Sequence, residues 1–383
     1  MTNAARACLG ALTASLVAAG CSASPSLSKD KLGALVFADT DLSRPVGQSC
    51  ADCHTARVAF RDPESSRTTS MGAVAGRFGM RNAQSAMYAR YIPPLHREIG
   101  GRWIGGLFWD GRAQSLEDQA AGPLLNPLEM NHPDKASVVA AVRHAPYAQG
   151  FRDLFGPAAL DGVDDGFAHI TEAVAAFERT PVFAPFSSRY DRYLAGEIAL
   201  DDAEQRGLAI YEDPARGNCA GCHPNRPAAD GTPPMFTDWS YANLGIPRYG
   251  NNKFYVQPPP LNPDGERHID HGLMTTVGDP AQDGKFRVPT LRNIAVTQAY
   301  GHNGYFENLP YMIDFLNTRD VGSREVGTCS RSVAGSRCAW PGAEVPATVD
   351  RKSIGHLGLS DQDIADLIAF LATLTDEAAH PSS

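Results

Sequence analysis

The chain has 383 residues, of which 43% are hydrophobic and 20% are charged, a composition typical of a globular protein with two or three domains. Its formal net charge of −9, with no basic tract, argues against nucleic acid as a partner. Helical spacing of apolar residues dominates and alternating strand patterns are few, so the sequence predicts a mainly α fold.

The first residues resemble an export signal. Arg6 supplies the positive charge, Leu9 to Ala19 form the apolar stretch, and small residues precede Cys21. The segment Val17 to Cys21 resembles a bacterial lipobox, in which the cysteine becomes the lipidated first residue. An ordinary signal peptide over residues 1–21 is the alternative. Both interpretations predict an exported, periplasmic protein, and the first adds a lipid anchor to the membrane.

A helix predicted over Ser28 to Phe37 leads into the run Cys50-Ala51-Asp52-Cys53-His54, which recurs as Cys219-Ala220-Gly221-Cys222-His223. A C-x-x-C-H run is typical of c-type haem attachment, in which two thiols bond to the porphyrin and the histidine ligates the iron. A thioredoxin-like pair would need a βαβ context, and a zinc module would need closer spacing. The sequence therefore predicts two c-type haems, with His54 and His223 as proximal ligands.

Between the two motifs the chain alternates loops and short helices. Glycine, serine and arginine predict a loop over Arg57 to Arg81, and Glu129 falls in a second loop, Pro123 to Pro133. The predicted helices are Asn82 to Tyr91, a helix capped by Ser115 and ended by Pro123, Asp134 to Arg143, and His169 to Phe177.

The plan of the first half then repeats. A capped helix over Asp201 to Tyr211 precedes the second motif, a Pro/Asn/Gly-rich excursion covers roughly Pro224 to Gln282, and Ser360 to Leu374 forms the closing helix. Helix, haem motif, loop and closing helix is the plan of cytochrome c. The sequence therefore predicts two cytochrome c-like domains, 28–195 and 196–383, each carrying one haem. Cys329 and Cys338 remain for a disulfide in an oxidising compartment.

Three further segments identify a family. They are Phe108-Trp109-Asp110-Gly111-Arg112-Ala113, the run from Gln119 to Met130, and Val288-Pro289-Thr290-Leu291-Arg292-Asn293. With the two haem motifs, they closely resemble the bacterial dihaem cytochrome c peroxidase and MauG family over nearly all of the mature chain. The resemblance implies a peroxidatic first haem and an electron-transfer second haem, with the active sites near the domain interface.

The same resemblance implies roles for individual residues. Glu129 matches the family's distal glutamate, the acid/base that moves a proton between the two peroxide oxygens. Gln119 matches the distal glutamine, its hydrogen-bonding partner. Trp109 matches the tryptophan between the haems, where an indole can relay an electron.

A calcium ion is a further expectation from the resemblance. Its ligands would be an amide and two backbone carbonyls, a set of oxygen donors that suits a hard cation. The matching residues are Asn82, Arg287 and Pro289.

Two departures from the family pattern concern the haem ligands. Many relatives close the first haem with a distal histidine, but Thr55 to Asn82 contains none, so we expect a five-coordinate first haem, with Met71 or Met80 as alternative ligands.

At the second haem, Gly301 stands where the family usually has a ligating methionine. Losing a thioether ligand lowers the haem potential. Tyr300 and His302 are the nearest candidates for the sixth ligand, and an open site is the alternative. Remoter candidates are Met274, Met312, His268 and His271.

The leading hypothesis is a periplasmic dihaem oxidoreductase that reduces hydrogen peroxide at the first haem with electrons passed through the second. The electrons would come from a small redox protein, a cytochrome c or a cupredoxin. One alternative is MauG-like oxidation of a partner protein through high-valent haems. Another is a non-enzymatic dihaem electron carrier, against which Glu129 and Gln119 argue because a carrier needs no distal acid/base.

Overall fold

The computed structural model describes residues 27–64, 69–321 and 339–377. The export signal with Cys21, and the cysteines at 329 and 338, lie outside the described residues, so both predictions remain untested. The helices are α1 (Lys29–Phe37), α2 (Cys50–Cys53), α3 (Leu116–Leu125), α4 (Lys135–His144), α5 (Ala148–Phe155), α6 (Val163–Glu178), α7 (Arg189–Leu194), α8 (Asp202–Glu212), α9 (Leu273–Val277), α10 (Leu309–Thr318) and α11 (Asp361–Ala372).

Strands are few and short in the described part of the chain. β1 (His96–Arg97) pairs antiparallel with β2 (Trp103–Ile104), and β3 (Tyr241–Ala242) pairs antiparallel with β4 (Phe286–Arg287). The mainly α prediction is therefore confirmed. Within the same described ranges, no helix combines the length and the apolarity that a membrane crossing requires.

Capping residues fix where the longer helices begin, as the sequence predicts. Ser115 accepts a hydrogen bond from the backbone N–H of Asp118 at 3.2 Å, at the start of α3. Ser360 and Asp363 form a reciprocal capping box at the start of α11. Each such side chain satisfies a backbone N–H that has no partner inside the helix.

The predicted helix over Asn82 to Tyr91 is wrong, because only a 3₁₀ turn at Ala89–Tyr91 forms. Its backbone groups form long-range hydrogen bonds instead. The N–H of Asn82 donates to the carbonyl of His302 at 2.8 Å, and the N–H of Tyr88 donates to the carbonyl of Phe183 at 2.7 Å. These bonds hold the segment extended against distant parts of the chain.

Two other helix predictions need correction. Pro123 does not end α3, which continues to Leu125, and α6 begins at Val163, before the predicted His169. Proline lacks only its own N–H, so the helix loses one hydrogen bond there and keeps the rest. The helices α2, α5, α7, α9 and α10 were not predicted at all.

The same helix crossing occurs in both halves of the chain. In the first half α1 packs on α6, and in the second half α8 packs on α11. A glycine sits at each crossing, since a β-carbon at Gly33 would overlap the carbonyl of Ala173, and one at Gly207 would overlap the carbonyl of Asp366. Two main apolar clusters surround these crossings. The domain boundary near Ala195 remains a prediction.

Candidate haem sites and distal groups

The two C-x-x-C-H motifs fold into similar tight turns. The first is the helical turn α2, closed by a capping box in which the N–H of Ser49 donates to the Asp52 carboxylate at 2.7 Å. The second is a 3₁₀ turn at Cys219–Gly221. In both, the histidine N–H donates to the carbonyl of the motif's first cysteine, at 2.8 Å for His54 and 2.9 Å for His223. This shared bond places two thiols and an imidazole around one turn.

Both imidazoles are oriented by a backbone carbonyl. Nδ1 of His54 lies 2.9 Å from the oxygen of Phe60, and Nδ1 of His223 lies 2.8 Å from that of Phe236. Burial lowers the pKa of each ring, so both are neutral at pH 7. A neutral ring that donates from Nδ1 keeps its lone pair on Nε2, the arrangement found in histidines that ligate metals.

The thiols fit covalent attachment to haem better than coordination of zinc. Cys50, Cys53, Cys219 and Cys222 are all free, so neither C-x-x-C pair forms a disulfide. The described residues also contain no group of three His, Cys, Asp or Glu side chains that could hold a metal ion. The residues therefore fit two c-type haems.

A cavity of about 290 Å³ lies against the second motif. This is near the lower end of the sizes usual for ligand and cofactor pockets. Its lining is largely apolar and comes from distant parts of the chain. It includes Cys219, Cys222, His223, Trp109, Tyr88, Tyr211, Tyr300, His302, Asn82, Arg287, Pro289 and Met312.

Glu129 lies within electrostatic range of the first haem motif. It follows α3 in a tight turn, where the amide of Asn126 donates to its Oε1 at 2.9 Å. Burial raises the pKa of Cys50 and Cys53 to about 12, and the charge of Glu129 contributes to the shift at both thiols. The carboxylate is thus close enough to this motif to act electrostatically on it.

Two opposing effects set the protonation of Glu129. Burial raises its pKa above the ordinary value of 4.5, while the Arg112 charge and the hydrogen bond from Asn126 lower it. Burial has the larger effect, so the pKa of Glu129 lies closer to neutral pH, where a group that both accepts and donates a proton works best. Gln119 lies half-buried on α3, the helix that leads into the turn carrying Glu129.

Trp109 is held by two distant segments. Its Nε1 donates to the carbonyl of Asn82 at 2.8 Å, and its own carbonyl accepts from the N–H of Arg287 at 2.9 Å. The indole lines the cavity beside the second motif. Such fixed placement suits an electron relay, because the indole N–H and the backbone carbonyl of Trp109 are each bonded to the backbone of another segment.

The residues of the predicted calcium site also lie in the wall of this cavity. Asn82, Arg287 and Pro289 all line it. The side-chain amide of Asn82 donates to the carbonyl of Ala299 at 2.7 Å, which leaves its Oδ1 as the donor atom for a cation. An amide oxygen with carbonyl oxygens suits calcium.

The two candidate sixth ligands of the second haem differ in their hydrogen bonds. The hydroxyl of Tyr300 is bonded to the carbonyls of Ile294 and Thr297, at 2.9 and 2.5 Å. His302 is buried and stacks on Phe286 with ring centroids 3.6 Å apart, and neither of its ring nitrogens has a hydrogen-bond partner. Burial lowers the pKa of His302 to about 4, so the ring is neutral. His302 is therefore the better placed of the two to accept a metal.

The structure also locates several remoter candidates. His268 Nε2 lies 2.9 Å from the sulfur of Met80, so these two side chains contact each other. Met312 lines the cavity of the second motif. His271 Nδ1 lies 2.7 Å from an oxygen of Asp283.

Sequence reasoning missed two buried networks next to the site. Arg81 binds Asp270 through two hydrogen bonds of 2.7 and 2.8 Å and binds Asp110 at 2.7 Å. Tyr88 donates to Asp376 at 2.7 Å. Only Asp110 lies in a recognisable motif, and the other members have no signal in their local sequence.

The chain is similar to known dihaem proteins over nearly its whole length. Residues 28–199 match the family model described as di-haem cytochrome c peroxidase. The methylamine utilization protein MauG of Paracoccus denitrificans is 38% identical over 98% of this chain and 96% of its own length. Cytochrome c551 peroxidase of Nitrosomonas europaea is 32% identical over 75% of this chain and 72% of its own length. The crystal structure of the dihaem peroxidase BthA from Burkholderia thailandensis has a TM-score of 0.77 at 31% identity, covering 91% of this chain and 86% of that chain.

Proposed function

Because this chain belongs to the dihaem cytochrome c peroxidase family, we propose that it reduces hydrogen peroxide at the first haem site with electrons that pass through the second. The observation that carries the proposal is Glu129, held by Asn126 beside the thiols of Cys50 and Cys53. A carrier that only transfers electrons has no use for a buried carboxyl group with a raised pKa at its haem.

The bound haems supply the iron that reduces peroxide and a second redox centre that passes electrons. The chain's own residues hold and orient these groups. His54 and His223 would ligate the two irons through Nε2, because Nδ1 of each ring is bonded to a backbone carbonyl. The four motif thiols, which are free of disulfides, would hold the porphyrins covalently.

Glu129 moves the proton that peroxide cleavage requires. As a carboxylate it accepts a proton from one peroxide oxygen, and as a carboxylic acid it returns that proton to the oxygen that leaves. The raised pKa makes the first step, acceptance of the proton, easier, and the hydrogen bond from Asn126 holds Oε1 in place. Gln119, on the helix before this turn, is proposed as the hydrogen-bonding partner of the peroxide.

A second candidate function is MauG-like, with a partner protein as the electron source. It is supported by the 38% identity to MauG of Paracoccus denitrificans over nearly the whole chain. It is also supported by two sequence features: no histidine lies between Thr55 and Asn82, and Gly301 occupies the usual methionine position. In this version Trp109 is the relay residue between the two haem sites.

The remaining assignments are part of the same proposal. The electron source is a small redox protein, a cytochrome c or cupredoxin, in the first version and a protein substrate in the second. Export to the periplasm is proposed from the N-terminal sequence, either with lipid attachment at Cys21 or with an ordinary signal peptide over residues 1–21. Calcium bound by Asn82 and by the carbonyls of Arg287 and Pro289 would tie together the segments around Trp109.

The test is low-temperature EPR of the haem-loaded diferric protein before and after one equivalent of peroxide. A high-spin signal and a low-spin signal, both lost as a long-lived oxidised state forms, would support the MauG-like version. Turnover only after half-reduction, with a small cytochrome as donor, would support the peroxidase version. No reaction with peroxide in either redox state would refute both.

A further inference from the structure

Tyr88 is a fully buried tyrosine at the wall of the second haem cavity. Its relative exposure is 0%, and it lines the same cavity as His223 and Trp109. Its backbone takes up a left-handed conformation, with φ of +63°, and its N–H donates to the carbonyl of Phe183 at 2.7 Å. A non-glycine residue held at positive φ is costly, so the surrounding structure fixes this side chain in place.

The hydroxyl of Tyr88 donates to a carboxylate that is also fully buried. The distance to Oδ2 of Asp376 is 2.7 Å. The carboxylate is held in place by the amide of Asn293, at 2.8 Å, and by the N–H of Ser187, at 3.0 Å. Tyr88 therefore faces a proton acceptor that is already aligned with its O–H bond.

Among the three described tyrosines that line this cavity, only Tyr88 has a carboxylate partner. The hydroxyl of Tyr211 donates to the carbonyl of His223, and that of Tyr300 is bonded to the carbonyls of Ile294 and Thr297. A backbone carbonyl accepts a hydrogen bond but is too weak a base to keep the proton. Loss of an electron and a proton together is thus favoured at Tyr88 alone of the three.

Two charged side chains of opposite sign, Arg292 and Asp376, lie next to Tyr88. The Arg292 guanidinium lies 4.8 Å from the ring centroid and is bound to Asp191 through two hydrogen bonds, at 2.9 and 2.8 Å. Burial raises the pKa of Tyr88 well above its usual value of 10.0; Arg292 lowers it and Asp376 raises it further. The hydroxyl therefore keeps its proton at any ordinary pH.

We propose that Tyr88 is a redox-active residue that gives one electron to the second haem site while its hydroxyl proton moves to Asp376. This inference rests on the proposed function, in which hydrogen peroxide is the oxidant. Reduction of peroxide to two waters takes two electrons and two protons; Tyr88 supplies one of those electrons, and the bound haems of the proposed function supply the other. Its O–H bond breaks, an O–H bond forms on Asp376, and a neutral tyrosyl radical remains.

The step is reversed when the electron source arrives. An electron from the redox protein or protein substrate returns to the tyrosyl oxygen, and Asp376 returns the proton. Tyr88 thereby holds one oxidising equivalent inside the protein, away from solvent, until a partner delivers its electron. The buried position protects the radical from side reactions with water.

The experiment is freeze-quench EPR of the haem-loaded protein, oxidised in two separate ways. In one arm the oxidant is peroxide, and in the other it is a flash-generated ruthenium tris-bipyridine oxidant, which needs no peroxide chemistry. Protein grown with ring-deuterated tyrosine identifies a tyrosyl signal by its narrowed hyperfine pattern. The variants are Y88F, D376N and the matched control Y211F, whose tyrosine lines the same cavity but donates to a carbonyl.

We expect a tyrosyl radical in the wild type and in Y211F, and none in Y88F. In D376N the radical should form more slowly, on the order of 100-fold, because a positioned proton acceptor contributes about 10²–10⁴-fold. A radical that persists in Y88F, or that is missing from the wild type in both arms, would overturn the inference. A Tyr88 radical in the flash arm, together with no consumption of peroxide in the peroxide arm, would support the inference and refute the proposed function.

Discussion

Replacing Glu129 by glutamine removes the proton acceptor and little else. Glutamine has the same shape, and its amide oxygen can still accept the hydrogen bond that Asn126 donates at 2.9 Å. It cannot take a proton from peroxide at any pH. Since burial raises the pKa of Glu129, the neutral amide should also be tolerated without loss of stability.

A positioned general acid/base contributes about 10²–10⁴-fold to a rate. We therefore expect E129Q to lower the second-order rate constant for peroxide by this factor, equivalent to about 2.7 to 5.4 kcal/mol at 1.36 kcal/mol per tenfold. The wild-type rate should fall as pH decreases through the pKa of Glu129, which lies above 4.5. The reason is that only the deprotonated carboxylate accepts the proton, so E129Q should lack this acidic limb.

The assay is stopped-flow mixing with peroxide, on protein whose haem content and thermal midpoint match the wild type. E117Q is the matched control, because Glu117 lies on α3, the helix that leads to Glu129, and pairs with Arg179 at the surface, at 2.6 Å. Surface ion pairs contribute little, about 0–1 kcal/mol, so its rate should stay near that of the wild type. If E129Q reacts as fast as E117Q, or keeps the acidic limb, the assignment of Glu129 is wrong.

Three further predictions test the surroundings of the two haem sites. Asn126→Ala removes a hydrogen bond that lowers the pKa of the neighbouring glutamate, so the acidic limb of the pH–rate profile should move to higher pH; an unmoved limb contradicts this. Arg81→Met leaves Asp270 buried without its partner and should cost about 3–5 kcal/mol in urea unfolding at pH 7. Burial raises the pKa of Asp270, but the Arg81 guanidinium lowers it by more, so the pKa lies well below its ordinary value. The ion pair therefore stabilises the fold fully above the pKa that Asp270 has in the unfolded chain, and this stabilisation declines as pH falls. The loss of stability in R81M should shrink at low pH for the same reason. For the second haem, H302A should change the low-spin EPR signal and Y300F should not, because only the imidazole lacks hydrogen-bond partners; the reverse pattern would assign the tyrosine as ligand.

Much of the fold was predictable because helix starts are local. The first turn of a helix needs a capping side chain within three residues, and Ser115, Asp134, Asp201 and Ser360 all provide one. The segment after Asn82 was mispredicted because its hydrogen bonds run to residues far along the chain. Its own sequence carries no trace of those partners.

The haem sites were determined by the sequence itself, because covalent attachment requires two thiols and a histidine on one turn. The tight turns at Cys50 and Cys219 place these three groups together. In each turn the histidine N–H donates to the carbonyl of the first cysteine, a bond within the motif itself. The position of Glu129 is also largely local, since the turn with Asn126 spans only a few residues after α3.

Only the tertiary structure decided which distant groups meet around these sites. Tyr88 and Asp376 are 288 residues apart, and Arg81 and Asp270 are 189 residues apart, yet each pair forms a buried hydrogen bond. Long-range pairs of this kind depend on how the helix crossings bring loops together, and loops carry no periodic pattern that reveals their partners. The sequence therefore specifies where the haems attach, whereas the packed fold decides which buried groups can exchange protons and electrons with them.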